Sequence, residues 1–387
     1  MNTIIKKIDA EKMTSEDFRE AAELLRAGKL VAFPTETVYG LGGDAYDKTA
    51  SARIYAAKGR PSDNPLIVHI AEIGELENLA VNIPKEAYLL AERFWPGPMT
   101  MILERKDTVP KETTGGLDTV AIRMPSHPVA RRLIIESGVP IAAPSANASG
   151  RPSTTKAGHV IEDLNGKIDM IIDGGSSDIG LESTIIDLTV KPALILRPGY
   201  ITIEMLREVL PDTEYDKAVL KRVRDDSIVA KAPGMKYRHY APKGQLTIYE
   251  GEREAVVSKI MEQVDEKLAE GARVGILSSS EYLKNYYDAL KTSAACGNEA
   301  DDKETEKCLE QILNGNHGML ELGNAVIGVA GSRNDEATVA AGLFDILREY
   351  DTKKVDYIYG ECFASENLGQ AIMNRLLKAA GYHIEQV

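Results

Sequence analysis

Lys58 and Arg60 flank a single glycine in this 387-residue chain, and Pro61 follows. A helix ending at Lys58 would put Gly59 in a left-handed cap. A mobile ammonium beside a planar guanidinium then suits a polyphosphate; the plainer alternative is a helix end whose cations complement the macrodipole. Arg123 lies inside the apolar run Val120–Met124 and needs an anion there, either a ligand's or that of an internal carboxylate. Pro34–Gly42 carries Thr35, Glu36, Thr37 and Tyr39 directly after another apolar run. That is where an α/β sheet opens onto a ligand, although a glycine-rich connection would look similar. Between Val139 and Ile161 there is no acidic residue, whereas Ser145, Asn147, Ser153, Arg151 and Lys156 are all present. Such a loop suits phosphate oxygens or is an ordinary polar turn. Ser183 and Arg197 add a hydroxyl and a cation at two more strand boundaries, and His69 closes an apolar run, where a satisfied core histidine is the commoner occurrence.

These side chains must be held by an α/β framework. Over residues 1–210 the runs Leu30–Phe33, Leu66–Ile70, Met99–Leu103, Val120–Met124, Ile141–Ala143, Met170–Ile172, Thr184–Leu188 and Ala193–Leu196 read as strands. Phe18–Arg26, Ala50–Ala57, Lys85–Phe94, Pro128–Glu136 and Lys156–Leu164 have helical spacing. Short links between some strands require antiparallel pairs, hence a mixed sheet. A second set follows 243, with strands at Leu246–Tyr249, Val274–Leu277, Ala325–Val329 and Val355–Tyr359. Helical patterns such as Ala255–Leu268 and Leu368–Ala380 separate them and predict a smaller, doubly wound parallel sheet. Pro211–Pro242, polar and bounded by prolines, reads as a linker.

Composition narrows the chemistry. The chain carries 46 Lys and Arg against 59 Asp and Glu, so the broad basic face of an extended nucleic-acid binder is missing. Only the linker region departs from the acidic trend. No apolar run of about 18 residues and no secretory leader are visible, so a cytoplasmic protein is expected. The three cysteines, Cys296, Cys308 and Cys362, match neither a zinc pattern nor a disulfide framework. P-loop, dinucleotide, nucleophile-elbow and zincin signatures are all absent.

The order of the polar segments resembles a known family. PTETVYGLG at 34–42, AKGRPSDNPLIVH at 57–69, IRMPSHP at 122–128, APSANASGRPS at 143–153, ESTIID at 182–187 and LRPG at 196–199 closely resemble the YrdC-like domain of threonylcarbamoyl-AMP synthases. The match covers nearly all of residues 10–210. APGMKYRHYAP at 232–242 and GQAIMNRL at 369–376 resemble the longer, two-domain form, with Ala232-Pro233 standing where a Ser-Pro pair is common. The resemblance implies a YrdC-like catalytic domain with an open twisted mixed sheet over 1–210, a linker over 211–242 that folds over the active site, and a Rossmann-like C-terminal domain over 243–387.

It also implies a nucleotidyltransferase that condenses L-threonine, bicarbonate or CO2, and ATP into threonylcarbamoyl-AMP and pyrophosphate. Such a product would pass to a tRNA threonylcarbamoyltransferase complex, with tRNA binding here weak or indirect and no membrane partner. Threonine contacts are expected at Thr37, His69, Arg123, Ala143 and Ser183. ATP contacts are expected at Lys58, Arg60, Asn64, Thr119, Ser145, Asn147, Ser153, Arg197 and Tyr237, with Lys58 and Arg60 as the catalytic cations. Magnesium would ride on the ATP phosphates, since no carboxylate cage is visible. Two rivals predict otherwise: a non-enzymatic RNA-binding module, and carbamoyl transfer as in hydrogenase maturation proteins, whose zinc-finger and acylphosphatase modules this chain lacks.

Overall fold

The computed structural model describes residues 2–220, 231–233, 239–293, 303–313, 317–364 and 366–387. Contacts divide them into two compact units. The first holds 2–149 and 153–220 with 231–233; the second holds 239–387 with 150–152.

The first unit is built on one mixed sheet. From edge to edge its strands are Ile4–Lys7, Met170–Asp173, Val31–Phe33, Gly40–Asp44, Ile141–Ala142, Ile67–His69, Thr119–Arg123, Met99–Arg105, Thr184–Asp187, Leu194–Arg197 and Glu214–Tyr215, with Ala80–Val81 paired to Met99–Arg105 at one side. Ile67–His69 runs parallel to Thr119–Arg123, which is antiparallel to Met99–Arg105, which is parallel to Thr184–Asp187. The register sets His69, Arg123 and Thr100 in one row across three neighbouring strands, so their side chains share a face. All eight expected strands are present. Four more complete the sheet: Ile4–Lys7, Ala80–Val81, Glu214–Tyr215 and Gly40–Asp44, the last expected as a turn. The glycines of Gly40–Asp44 let strands approach too closely for side chains: a Cβ on Gly42 would lie 2.7 Å from Ile141 Cγ2 and 2.8 Å from Phe33 Cε1.

Helix ends follow local chemistry. Asp47 caps Lys48–Lys58 by accepting the Thr49 N–H, and the helix stops at Gly59 with φ +64°, the left-handed cap that its position before Pro61 predicts. His127 caps Pro128–Ser137, whose proline sits at the start where no N–H is needed, and Gly138 ends it. Apolar residues of Lys48–Lys58, of the helix Lys85–Phe94 and of the sheet, among them Leu41, Ile54, Val68, Leu90, Met101 and Ile122, form a continuous core, and Val129 and Leu133 of Pro128–Ser137 pack in a second cluster with Val31 and Phe33.

The second unit has a six-stranded sheet in the order Gly318–Leu322, Ala325–Val329, Val274–Ser278, Tyr357–Glu361, Gln245–Glu250, Ile384–Gln386. Five strands are parallel. Gly318–Leu322 is an antiparallel edge, a departure from the all-parallel expectation, because only Gly323 and Asn324 separate it from Ala325–Val329 and a link that short closes a hairpin. Helices Arg253–Ala269, Ser280–Thr292, Glu336–Thr352 and Asn367–Ala379 alternate with the strands. No helix among the described residues is long and apolar enough to cross a membrane.

Candidate functional site

Arg123 is the centre of a buried polar cluster at the end of its strand. Its Nη1 donates to Thr37 Oγ1 at 2.8 Å and its Nε to Gly97 O at 3.3 Å, while Nη2 lies 2.7 Å from Glu36 Oε1. The internal carboxylate that an arginine in an apolar strand demands is therefore Glu36. Burial pushes the Glu36 pKa up, but the Arg123 guanidinium and the nearby Ser126 amide outweigh it, so the carboxyl sits below its ordinary range. Thr35 Oγ1 shares a hydrogen bond with Thr37 Oγ1 and donates to Val38 O, which fixes the loop that carries both threonines.

His69 sits beside Arg123 in the register and is buried. Desolvation, reinforced by the Arg123 charge, lowers its pKa to about 3. It is thus neutral, with Nδ1 3.1 Å from Ile67 O and the Ile141 backbone as a second hydrogen-bonding neighbour. On the other side of the row, Ser183 Oγ shares a hydrogen bond with Thr100 Oγ1 at 2.7 Å and accepts from Arg197 Nη2 at 3.1 Å. Ala143 is buried with its N–H on Ile67 O, tying its loop to the His69 strand.

A second cluster surrounds Lys58. Its ammonium donates to the carbonyls of Ser145 and Asn147 and contacts Asn147 Oδ1. Ser145 Oγ donates to the same Asn147 oxygen. Arg60 turns back onto its own loop, with Nε on Asn64 O and Nη2 on Pro65 O. Asn64 is buried, and its Oδ1 has no hydrogen-bond partner among the described residues. Ser153 Oγ donates to Glu182 Oε1.

Over 377 residues, covering 97% of this chain and 98% of the relative, the sequence is 46% identical to a threonylcarbamoyl-AMP synthase of Pyrococcus abyssi. The chain belongs to the threonylcarbamoyl-AMP synthase family. A Bacillus subtilis synthase is 46% identical over 94% of this chain and 92% of its own length. Family models agree by parts: the Sua5/YciO/YrdC model, described as telomere recombination, matches residues 23–199, and the threonylcarbamoyl-AMP synthase C-terminal domain matches 201–381. The crystal structure of P. abyssi Sua5 complexed with L-threonine superposes with a TM-score of 0.84 at 44% identity, covering 100% of both chains.

Several expectations for this synthase-family chain change in detail. Lys58 does not project as a mobile charge; it is buried and anchored to two carbonyls, because an ammonium inside the fold must find acceptors. The loop after Val139 lacks acidic residues in sequence but not in space, since Asp163 accepts the Ala148 N–H and Glu182 accepts from Ser153. Arg197 is turned to Ser183 and to the linker, donating to Ser183 O and, at 3.4 Å, to Pro233 O. Thr119 starts the strand that Arg123 ends, about 13 Å away at strand rise, near the Asn64 end. Tyr237 lies outside the described residues. Glu36, Thr100 and Glu182 were not picked out as site residues; a carboxylate set between two threonines was the available signal for Glu36.

Proposed function

We propose that this protein is an L-threonylcarbamoyladenylate synthase and that its first unit carries the reaction. The observation that supports this most is Arg123, a buried guanidinium set among Thr37, Glu36 and the neutral His69, in a chain 46% identical to a curated synthase. Its fork suits the carboxylate of threonine. In the reaction the threonine nitrogen attacks the carbon of CO2 or dehydrating bicarbonate, and the nitrogen sheds a proton. A carbamate oxygen then attacks the α-phosphorus of ATP, and pyrophosphate leaves with the electron pair of the broken P–O bond. No enzyme nucleophile is needed, so catalysis rests on alignment and charge neutralisation. Lys58 and Arg60 supply charge, with Asn64, Ser145, Asn147 and Ser153 as further phosphate or nucleotide contacts, Thr119 nearer the nucleoside, and Arg197 holding Ser183 in place.

Among the described residues no group of three or more His, Cys, Asp or Glu could hold a metal ion. A donor set of cations, hydroxyls and amides fits magnesium carried by the triphosphate, which would neutralise phosphate charge. The linker is proposed to close over this site with Tyr237 toward the phosphates. Two contacts support that reading: Ala232 is fully buried in an apolar cluster with Ile67, Ala121, Ile185 and Leu196, and Pro233 O meets Arg197. The product is proposed to pass to a tRNA threonylcarbamoyl transferase system. Pyrophosphate release from ATP, with threonine and bicarbonate omitted in turn, tests the assignment. Dependence on both is expected; equal release with serine, alanine or no amino acid would refute it.

A further inference from the structure

A pocket for free threonine must take a zwitterion, and Arg123 answers only its negative end. The unused chemistry beside it belongs to Glu36. This carboxylate is 5% exposed and ion-paired with Arg123 at 2.7 Å, yet neither of its oxygens has a well-aligned side-chain hydrogen-bond partner among the described residues; the amides that bear on it are those of Ser126 and of Glu36 itself. Arg123 Nη2 is likewise without a well-aligned partner among them, while Nη1 and Nε are engaged. The two ions lie side by side without the fork-to-carboxylate alignment that would saturate both. An ionised carboxylate offers about four lone-pair sites, and one off-axis guanidinium with two backbone amides leaves acceptor capacity for a further donor. Neighbouring groups do not duplicate the charge. His69 is neutral, Ser183 is engaged by Thr100 and Arg197, and Glu182 is engaged by Ser153.

We infer that Glu36 receives the α-ammonium of the substrate amino acid. With threonine bound, Arg123 and the substrate carboxylate, and Glu36 and the substrate ammonium, would form an alternating set of four charges. No charge is left uncompensated in the dry pocket, and the Glu36–Arg123 pair of the free protein is its preformed half. The site would then demand an α-amino acid and refuse the α-hydroxy acid of identical shape, because a hydroxyl leaves Glu36 uncompensated. This inference rests on the threonine reading.

Calorimetry on the full chain separates the two. The ligands are L-threonine and (2S,3R)-2,3-dihydroxybutanoate, in which a hydroxyl replaces the amine. Wild-type protein is expected to favour threonine by about 30-fold or more, the loss typical of a buried charge deprived of its partner. E36Q should lose that preference by weakening threonine while sparing the hydroxy acid. If Glu36 only props Arg123, E36Q will weaken both ligands by one factor, and the inference falls while the threonine reading stands. A wild-type protein that binds neither ligand overturns the threonine reading and this inference together. Retained ATP binding verifies the fold of E36Q. Should E36Q fail that check, E36D decides: the retained carboxylate must keep a preference for threonine, and equal affinity for both ligands would overturn the proposal.

Discussion

Arg123 and Arg60 carry the same guanidinium but sit in different surroundings. Arg123 is 4% exposed and shares its burial with Glu36, so Arg123→Ala would strand a carboxylate. We expect a stability loss of about 3–5 kcal/mol, together with the loss of threonine affinity. Arg60 is half-buried and bonded to the carbonyls of its own turn, so Arg60→Ala should cost no more than about 1 kcal/mol of stability and weaken ATP rather than threonine. Urea unfolding and calorimetry check both, and equal effects on both ligands would contradict the division. His69 yields a pH prediction. Its folded pKa of about 3 lies below the unfolded value of 6.5, so as pH falls from 6.5 toward 3 the unfolded chain binds a proton that the folded protein refuses. Stability then falls by up to about 1.4 kcal/mol per pH unit, and the depressed pKa of His127 adds in the same direction. His69→Gln should flatten the slope between pH 6 and 5, and an unchanged slope would mean His69 is not buried neutral.

At the scale of elements, apolar periodicity is enough to find the strands that carry Arg123 and His69 and the one that Ser183 immediately precedes, since each is a run of mostly buried residues. It could not find Gly40–Asp44. Three glycines in five residues read as a turn, and the reason they form a strand is the proximity of Phe33 and Ile141, a contact between distant segments. The order of strands was illegible for the same reason: His69, Arg123 and Thr100 share a row only through pairings that cross the chain. Glu36 lay in plain view within Pro34–Gly42, but its pairing with Arg123 spans 87 positions. Gly42→Ala should therefore destabilise by about 1–3 kcal/mol through overpacking, whereas a Cβ on Gly59 meets open space and Gly59→Ala should cost about 1–2 kcal/mol for its left-handed backbone alone. Thermal melts of the two variants, with threonine binding as a second readout, distinguish them: only Gly42→Ala should also disturb the site.

For the whole molecule, the acidic balance of −13 and the division into two units make the linker the segment of interest. Lys231–Pro242 gathers Lys231, Lys236, Arg238 and His239 with two tyrosines, and Ala232 is buried in the first unit. Deleting 231–242 should raise hydrolysis of the adenylate relative to its release, because water would reach an activated product. Unchanged turnover and unchanged persistence of the bound adenylate would rule out a lid. The central claim is tested most directly by mass spectrometry of the nucleotide product formed from ATP, L-threonine and 13C-bicarbonate. A threonylcarbamoyl-AMP adduct carrying one 13C in its carbamoyl group, formed only when all three substrates are present, is the expected result; AMP or ADP without an adduct, or an adduct without the label, would contradict it.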